Sequence, residues 1–209
     1  MSDVRAVIFD VANVLVHWDP ALPLHGVLNA DRVAAFLGSE ALWAINAHSD
    51  AGLPLAETRA RVEAEVPGQA EAFGLYLDRF TLSVPGPVEG TTAIVEELLD
   101  AGVPAYGLSN WSAENFAVAR AAAPVIDRLA DVIVSGEVGL AKPDEAIFAL
   151  AVDRFGLDPA TTVMIDDTVA NLDAAARVGL ATVHFTSAGQ LRADLAELGV
   201  PLSRVEPDR

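Results

Sequence analysis

Val4-Arg5-Ala6-Val7-Ile8-Phe9-Asp10-Val11 is a short β-branched, apolar run that closes on an acid. Apolar side chains in successive positions, without polar alternation, suit a strand covered on both faces, as in a parallel sheet. Runs of the same kind recur at 103–109, 131–135, 162–166 and 181–186. Between them the period changes to that of a helix. Residues 91–101 place Ile94, Val95, Leu98 and Leu99 on one face before Gly102. Residues 145–155 do so with Ile147, Phe148, Ala151 and Val152 before Gly156, and 171–178 with Leu172, Ala175, Ala176 and Val178 before Gly179. Each glycine is a helix stop. Strand and helix in alternation predict an α/β fold, a doubly wound parallel sheet with a Rossmann-like core.

Residues 19–83 break the alternation. Helical patterns at 30–37, 40–47, 55–65 and 70–82 follow one another with no convincing strand between them. A helical block inserted after the first strand is expected to form a cap over the carboxyl ends of the strands, where such sheets place their sites. The expected division is a catalytic core of residues 1–18 and 84–209 with a cap of 19–83. Val84-Pro85-Gly86-Pro87 would be a stiff return into the core, and 203–209 a loose tail.

The chain has 209 residues with 13 Lys and Arg against 30 Asp and Glu, a formal net charge of −17. Such a surface repels a phosphate backbone and an anionic membrane, so neither nucleic acid nor membrane is an expected partner. No apolar stretch approaches the roughly 18 residues of a membrane span. The start runs into the first strand without a signal-peptide pattern, which points to a cytoplasmic protein. The absence of cysteine removes disulfides, thiolate nucleophiles and Cys-held metals together. An acidic protein that handled an anionic substrate would need a local cation.

Four polar spots stand at the ends of expected core strands. Asp10 ends the first, and a carboxylate there is costly unless a cation or hydrogen bonds meet it. Ser109-Asn110 ends the second, although small polar residues also begin helices. Lys142, in Gly139-Leu140-Ala141-Lys142-Pro143-Asp144-Glu145, precedes a helix whose first turn suits Pro143, Asp144 and Glu145. A lysine gains nothing from the positive end of that helix, and a bound anion would explain it. Asp166-Asp167 follows the apolar Val163-Met164-Ile165. Two charges about 4 Å apart cost roughly 4 kcal/mol at an effective dielectric near 20. Carboxylates so crowded take up protons or hold a hard divalent cation. Each spot alone has a bland reading as a turn or cap; their joint order, each at a strand exit, does not.

In these motifs the chain resembles the haloacid dehalogenase superfamily from Val4 to about Thr186. Phe9-Asp10-Val11-Ala12-Asn13-Val14-Leu15 resembles its first motif and Leu108-Ser109-Asn110 its second. Gly139-Leu140-Ala141-Lys142-Pro143-Asp144 resembles the third, and Ile165-Asp166-Asp167 with Asn171 and Ala174-Ala175 the fourth. Within the superfamily it is most similar to the glucose-1-phosphatase-like branch, whose first motif also lacks an acid two residues after the nucleophile.

The resemblance implies a phosphatase for a small phosphate monoester of the sugar phosphate type. Asp10 would attack phosphorus and form an aspartyl-phosphate. Mg²⁺ would be held by Asp10, the backbone oxygen of Ala12 and Asp167, with Asp166 in or beside the shell. Lys142 would neutralise phosphate charge and position Asp10, while Ser109, with Asn110 beside it, would bind the phosphoryl oxygens.

One position departs from the pattern: Ala12 stands where phosphatases of the superfamily carry the acid that protonates the leaving oxygen. General acid–base help is typically worth 10²–10⁴-fold, or roughly 3–5 kcal/mol. Its loss fits a good leaving group, such as an anomeric oxygen, or a stand-in among His17, Trp18 and Asp19. It also fits a metal-independent 2-haloacid dehalogenase using Asp10, although Asp166-Asp167 points to phosphoryl chemistry. A third reading is a metal- and phosphate-binding protein with little turnover. His25 and His48 read as cap surface, His184 as a strand residue, and Trp43 as cap core. Trp111 would either face the substrate or pack locally. No P-loop, GxGxxG or GxSxG is present. The inward-facing cap residues and the oligomeric state are not legible.

Overall fold

The computed structural model describes residues 4–200 and Leu202. The first three residues and the expected tail at 203–209 lie outside the described residues. Five parallel strands, β1 (Ala6–Phe9), β2 (Ala105–Ser109), β3 (Val132–Val134), β4 (Thr162–Asp166) and β5 (Ala181–His184), form one sheet in the order β3-β2-β1-β4-β5. The order reverses at β1, so a crevice opens beyond the carboxyl ends of the central strands.

Both faces of the sheet are covered, as the unbroken apolar runs require. Ile8, Leu108, Ile133 and Met164 point to one side with Ile147, Phe148 and Ala151 of α8 (Glu145–Phe155) and Leu172, Ala174 and Ala175 of α9 (Val169–Arg177). Val7, Phe9, Val163 and Ile165 point to the other. There they meet Ile94, Val95 and Leu98 of α5 (Thr91–Asp100), Phe116 and Ala119 of α6 (Phe116–Ala122), and Leu191 and Leu195 of α10 (Ala188–Glu197). Burial of this kind contributes roughly 25 cal/mol per Å² of apolar surface.

Between β1 and α5 lie only helices: α1 (Ala30–Leu37), α2 (Glu40–Asp50), α3 (Leu55–Glu65), α4 (Ala70–Asp78) and short 3₁₀ turns. Asn29 and Ser39 cap α1 and α2 by accepting hydrogen bonds from the backbone N–H groups of Arg32 and Leu42. Val33, Phe36, Leu42, Ile45, Val62 and Phe73 are buried in a core continuous with the second sheet face. The way out and the way back run side by side: Val16 bridges Pro87, His17 N–H donates to Gly86 at 2.9 Å, and Val88 N–H donates to Leu15 at 3.0 Å.

Two local expectations shift. The helix expected over 70–82 ends at Asp78, and a 3₁₀ turn carries the chain over Phe80–Ser83. Pro143 lies outside the first turn of α8, because Asp144 is the N-cap, its carboxylate accepting from Ala146 N–H. Beyond the expected elements, α6, α10 and the one-turn α7 (Ser135–Val138) complete the set.

Candidate active site

The end of β1 sets the first group. Asp10 N–H donates to the Ile165 carbonyl at 2.8 Å, extending the sheet one residue, and its carboxylate accepts from Val11 N–H at 2.6 Å. The chain then turns sharply. Asn13 takes a left-handed conformation (φ 56°), which asparagine tolerates better than most residues, and its side-chain oxygen accepts from Trp18 N–H at 3.0 Å. One turn thus fixes Asp10, Ala12 and Trp18 relative to one another.

Lys142 crosses from the loop before α8. Its Nζ lies 2.9 Å from Asp10 Oδ1 and 2.7 Å from Asp166 Oδ2, and all three side chains are buried. The Asn110 side chain pins this lysine through the lysine's backbone: Asn110 Oδ1 accepts from Lys142 N–H at 2.8 Å and Asn110 Nδ2 donates to the Lys142 carbonyl at 2.7 Å. The amide expected to face substrate is therefore spent on holding the cation. Asp166 is saturated, since it accepts from Lys142, from Asn171 Nδ2 at 2.9 and 3.1 Å, and from Thr168 N–H at 2.9 Å.

Burial pushes the Asp10 carboxyl up to about 7; Lys142 opposes the rise, and Asp166 and Asp167 add to it. Burial weakens the hold of Lys142 on its proton, but Asp10 and Asp166 outweigh it and raise the ammonium above its usual range. A carboxylate oxygen from each of Asp10, Asp166 and Asp167 lies within 4.8 Å of the others. Lys142 thus pairs with two of these three acids. Hard oxygen donors crowded in this way, with one acid lifted in pKa, fit a hard divalent cation such as Mg²⁺.

Ser109 Oγ, fully buried at the end of β2, has no hydrogen-bond partner among the described residues. A buried hydroxyl left unpaired costs about 1–3 kcal/mol, so a phosphate oxygen would relieve it. Next along the chain, Trp111 N–H donates to Ser135 Oγ at 2.9 Å. A Cβ on Gly136 would stand 2.6 Å from Ala113 N and 2.8 Å from Trp111 O, so only glycine lets these two loops close.

Beside this cradle lies a cavity of about 220 Å³ whose walls include Ala12, Trp18, Tyr76, Leu77, Phe80 and Trp111. An aromatic chain builds its side: Trp43, Tyr76, Phe80, Trp111 and Phe116 pack in succession with ring centroids 5.4–6.0 Å apart. Trp43 does not line the cavity; it packs against Phe36, Trp18 and Tyr76. Trp111 does line it, and its Nε1 has no partner among the described residues.

Of the three residues expected to replace the missing acid, only Trp18 reaches the cavity. His17 and Asp19 are exposed, and Asp19 is spent on Ala21 N–H at 2.8 Å. His25 and His48 are exposed as expected; His184, in β5, contacts the Asp167 carbonyl at 3.1 Å. The cavity holds an acid that stands at no strand end, Asp50, the last residue of α2. Its signal in the sequence was faint: it stands eight residues after the buried Leu42 and five after the buried Ile45, at the edge of the apolar stripe.

Residues 4–179 match the haloacid dehalogenase-like hydrolase family. Sesquiterpene phosphatase astK of Aspergillus oryzae is 25% identical over 192 residues, covering 87% of this chain and 90% of that protein. Drimenol cyclase drtB of Aspergillus calidoustus is 25% identical over 204 residues, and this chain spans 38% of its length. Among solved structures, a family enzyme of Bacteroides thetaiotaomicron in complex with magnesium and inorganic phosphate superposes with a TM-score of 0.70 at 20% identity, covering 88% of this chain and 95% of that one. L-2-haloacid dehalogenase from Xanthobacter autotrophicus superposes at 0.62 with 15% identity, covering 94% and 84%. Both likenesses speak to the fold, which hosts more than one chemistry. On the family match, the chain belongs to the haloacid dehalogenase-like hydrolases.

Proposed function

We propose that this hydrolase is a Mg²⁺-dependent phosphatase acting on a small phosphate monoester through an aspartyl-phosphate on Asp10. The observation that carries the reading is the buried cradle in which Lys142 bridges Asp10 and Asp166, with Asp167 alongside. Asp10, Asp167 and the backbone oxygen of Ala12 would hold the ion, which would supply Lewis-acid polarisation of a phosphate oxygen. Asp166, already saturated, would stand beside that shell and orient Lys142.

Asp10 Oδ attacks phosphorus in line with the leaving oxygen, and the aspartyl-phosphate forms as the P–O bond to the alcohol breaks. Lys142 keeps the attacking carboxylate placed and offsets charge on the phosphoryl group. The unpaired Ser109 hydroxyl donates to a phosphoryl oxygen. Water then attacks phosphorus, the bond to Asp10 breaks, and inorganic phosphate leaves.

Residues 1–18 and 84–209 would be the catalytic core and 19–83 its cap. The apolar cavity wall favours an apolar alcohol as leaving group over the sugar phosphate that the sequence alone suggested, and the similarity to a sesquiterpene phosphatase leans the same way. Ala12 keeps the glucose-1-phosphatase-like branch open as the placement within the family, and the net charge of −17 argues against nucleic acid as substrate.

Hydrolysis of p-nitrophenyl phosphate and of 2-chloropropionate, each with and without EDTA, tests the reading. Phosphate release abolished by EDTA is expected. Chloride release that persists in EDTA would instead establish the dehalogenase, and a phosphoenzyme that forms without turning over would establish a binding protein.

A further inference from the structure

The in-line geometry separates the two ends of the reaction. With Asp10 attacking from the end of β1, the leaving oxygen would depart on the side away from that strand end, and the cavity borders the cradle there, since Ala12 and Asn110 are among its lining residues. Among the residues lining that cavity, Asp50 is the only one with a carboxylate. It has no hydrogen bond or ion pair among the described residues, whereas Asp166 is saturated and Asp19 is spent on a turn. Its place in the helix is also unfavourable. Asp50 is the C-terminal residue of α2, where the macrodipole disfavours a negative charge.

We propose that Asp50, reaching in from α2, is the acid and base of the reaction, doing from the helical block what the residue at position 12 does elsewhere in the family. This assignment rests on the phosphatase reading above. In the first step Asp10 forms its bond to phosphorus while the Asp50 carboxyl gives its proton to the departing alkoxide oxygen, and the alcohol leaves neutral. In the second step the Asp50 carboxylate takes a proton from water as the water oxygen bonds to phosphorus and the P–O bond to Asp10 breaks. Asp50 is then reprotonated, Asp10 is a carboxylate again, and inorganic phosphate departs.

The surroundings suit a carboxyl that changes protonation. Burial pushes it up to about 7, with no cation opposing the rise. Its neighbour Tyr76 is itself raised by burial, relieved by a hydrogen bond from Trp18 and raised further by the charge of Asp50.

The test uses leaving groups of unlike basicity on the full-length, magnesium-loaded protein. Nitrophenolate leaves without a proton and an alkoxide does not. With p-nitrophenyl phosphate, Asp50→Asn should keep a stoichiometric first-turnover burst and a phosphorylated Asp10 seen by mass spectrometry, while steady turnover falls. With n-octyl phosphate the first turnover itself should fall about 10²–10⁴-fold, and Asp50→Glu should recover part of it. If Asp50→Asn slows the first turnover of both esters equally, or of neither, the assignment is overturned while the phosphatase reading stands. If the wild-type protein forms no phosphorylated Asp10 from p-nitrophenyl phosphate, the phosphatase reading fails first and takes the role of Asp50 with it.

Discussion

The cradle at the strand ends and the cavity beside it are built on opposite principles. In the cradle nearly every polar atom is matched. Lys142 is shared by Asp10 and Asp166, Asp166 is saturated by Asn171 and Thr168, and the Lys142 backbone is clamped by Asn110. In the cavity four aromatic side chains, Trp18, Tyr76, Phe80 and Trp111, share the wall with polar ones, and some of its polar atoms stand alone: among the described residues the Asp50 carboxyl and Trp111 Nε1 lack hydrogen-bond partners, as does Ser109 Oγ at the end of β2. Matched groups hold geometry that must not move, which is how preorganised electrostatics lowers a barrier. A buried polar group without a partner costs free energy until a partner is supplied.

Breaking the cradle should have the largest consequences. Asp10→Asn removes the proposed nucleophile, and hydrolysis of any phosphate ester should fall at least about 10⁴-fold; retention of wild-type turnover would refute the aspartyl-phosphate. Lys142→Met comes next, because it strands Asp10 and Asp166 in the interior without their cation. Breaking such a buried pair costs about 3–5 kcal/mol, to be read as a lowered urea midpoint in metal-free protein. An unchanged midpoint would show that the acids had already taken up protons.

The cavity should respond in the opposite direction. The Asp50 carboxyl has an ordinary value of 3.8 and is raised to about 7 in the folded protein. Below pH 4 it is protonated in both states. Between about 4 and 7 the folded state alone keeps the proton, so stability falls as pH rises, and above 7 the full penalty is present. Asp50→Asn should therefore stabilise the protein by about 2–4 kcal/mol above pH 7 and by nothing below pH 4. Denaturant titrations across that range measure it, and a constant difference would contradict the account. Ser109→Ala is the smallest perturbation. It should leave stability unchanged or raised, while kcat/KM falls by the worth of one hydrogen bond to a charged group, about 1.5–3 kcal/mol.

Much of this arrangement was legible along the chain. The run from Val4 to Val11 and its four successors gave the sheet because a strand covered on both faces must be apolar throughout. The observed strands are trimmed by a residue or two at some ends, as Ala6–Phe9 within 4–11 and Val132–Val134 within 131–135 illustrate. Glu145–Phe155 matches to the residue because Asp144 and Gly156 mark both its ends in the sequence. The helices at 116–122, 135–138 and 188–197 went unread: they are short or weakly patterned, and packing on the sheet secures them.

The sequence by itself determined the sheet, the helical insertion and the order of Asp10, Ser109, Lys142 and Asp166-Asp167, because local period and strand-end chemistry need no partner to be recognised. The tertiary structure alone decided that Asn110 holds the Lys142 backbone, that His17 and Asp19 stay in solvent, and that Asp50 shares a cavity with Ala12 from 38 residues away. Those facts depend on how the return of the chain past Val16 through Pro87 brings α2 and the strand ends to one cavity. Long-range closure of that kind is a property of packed side chains, and no single stretch of sequence carries it.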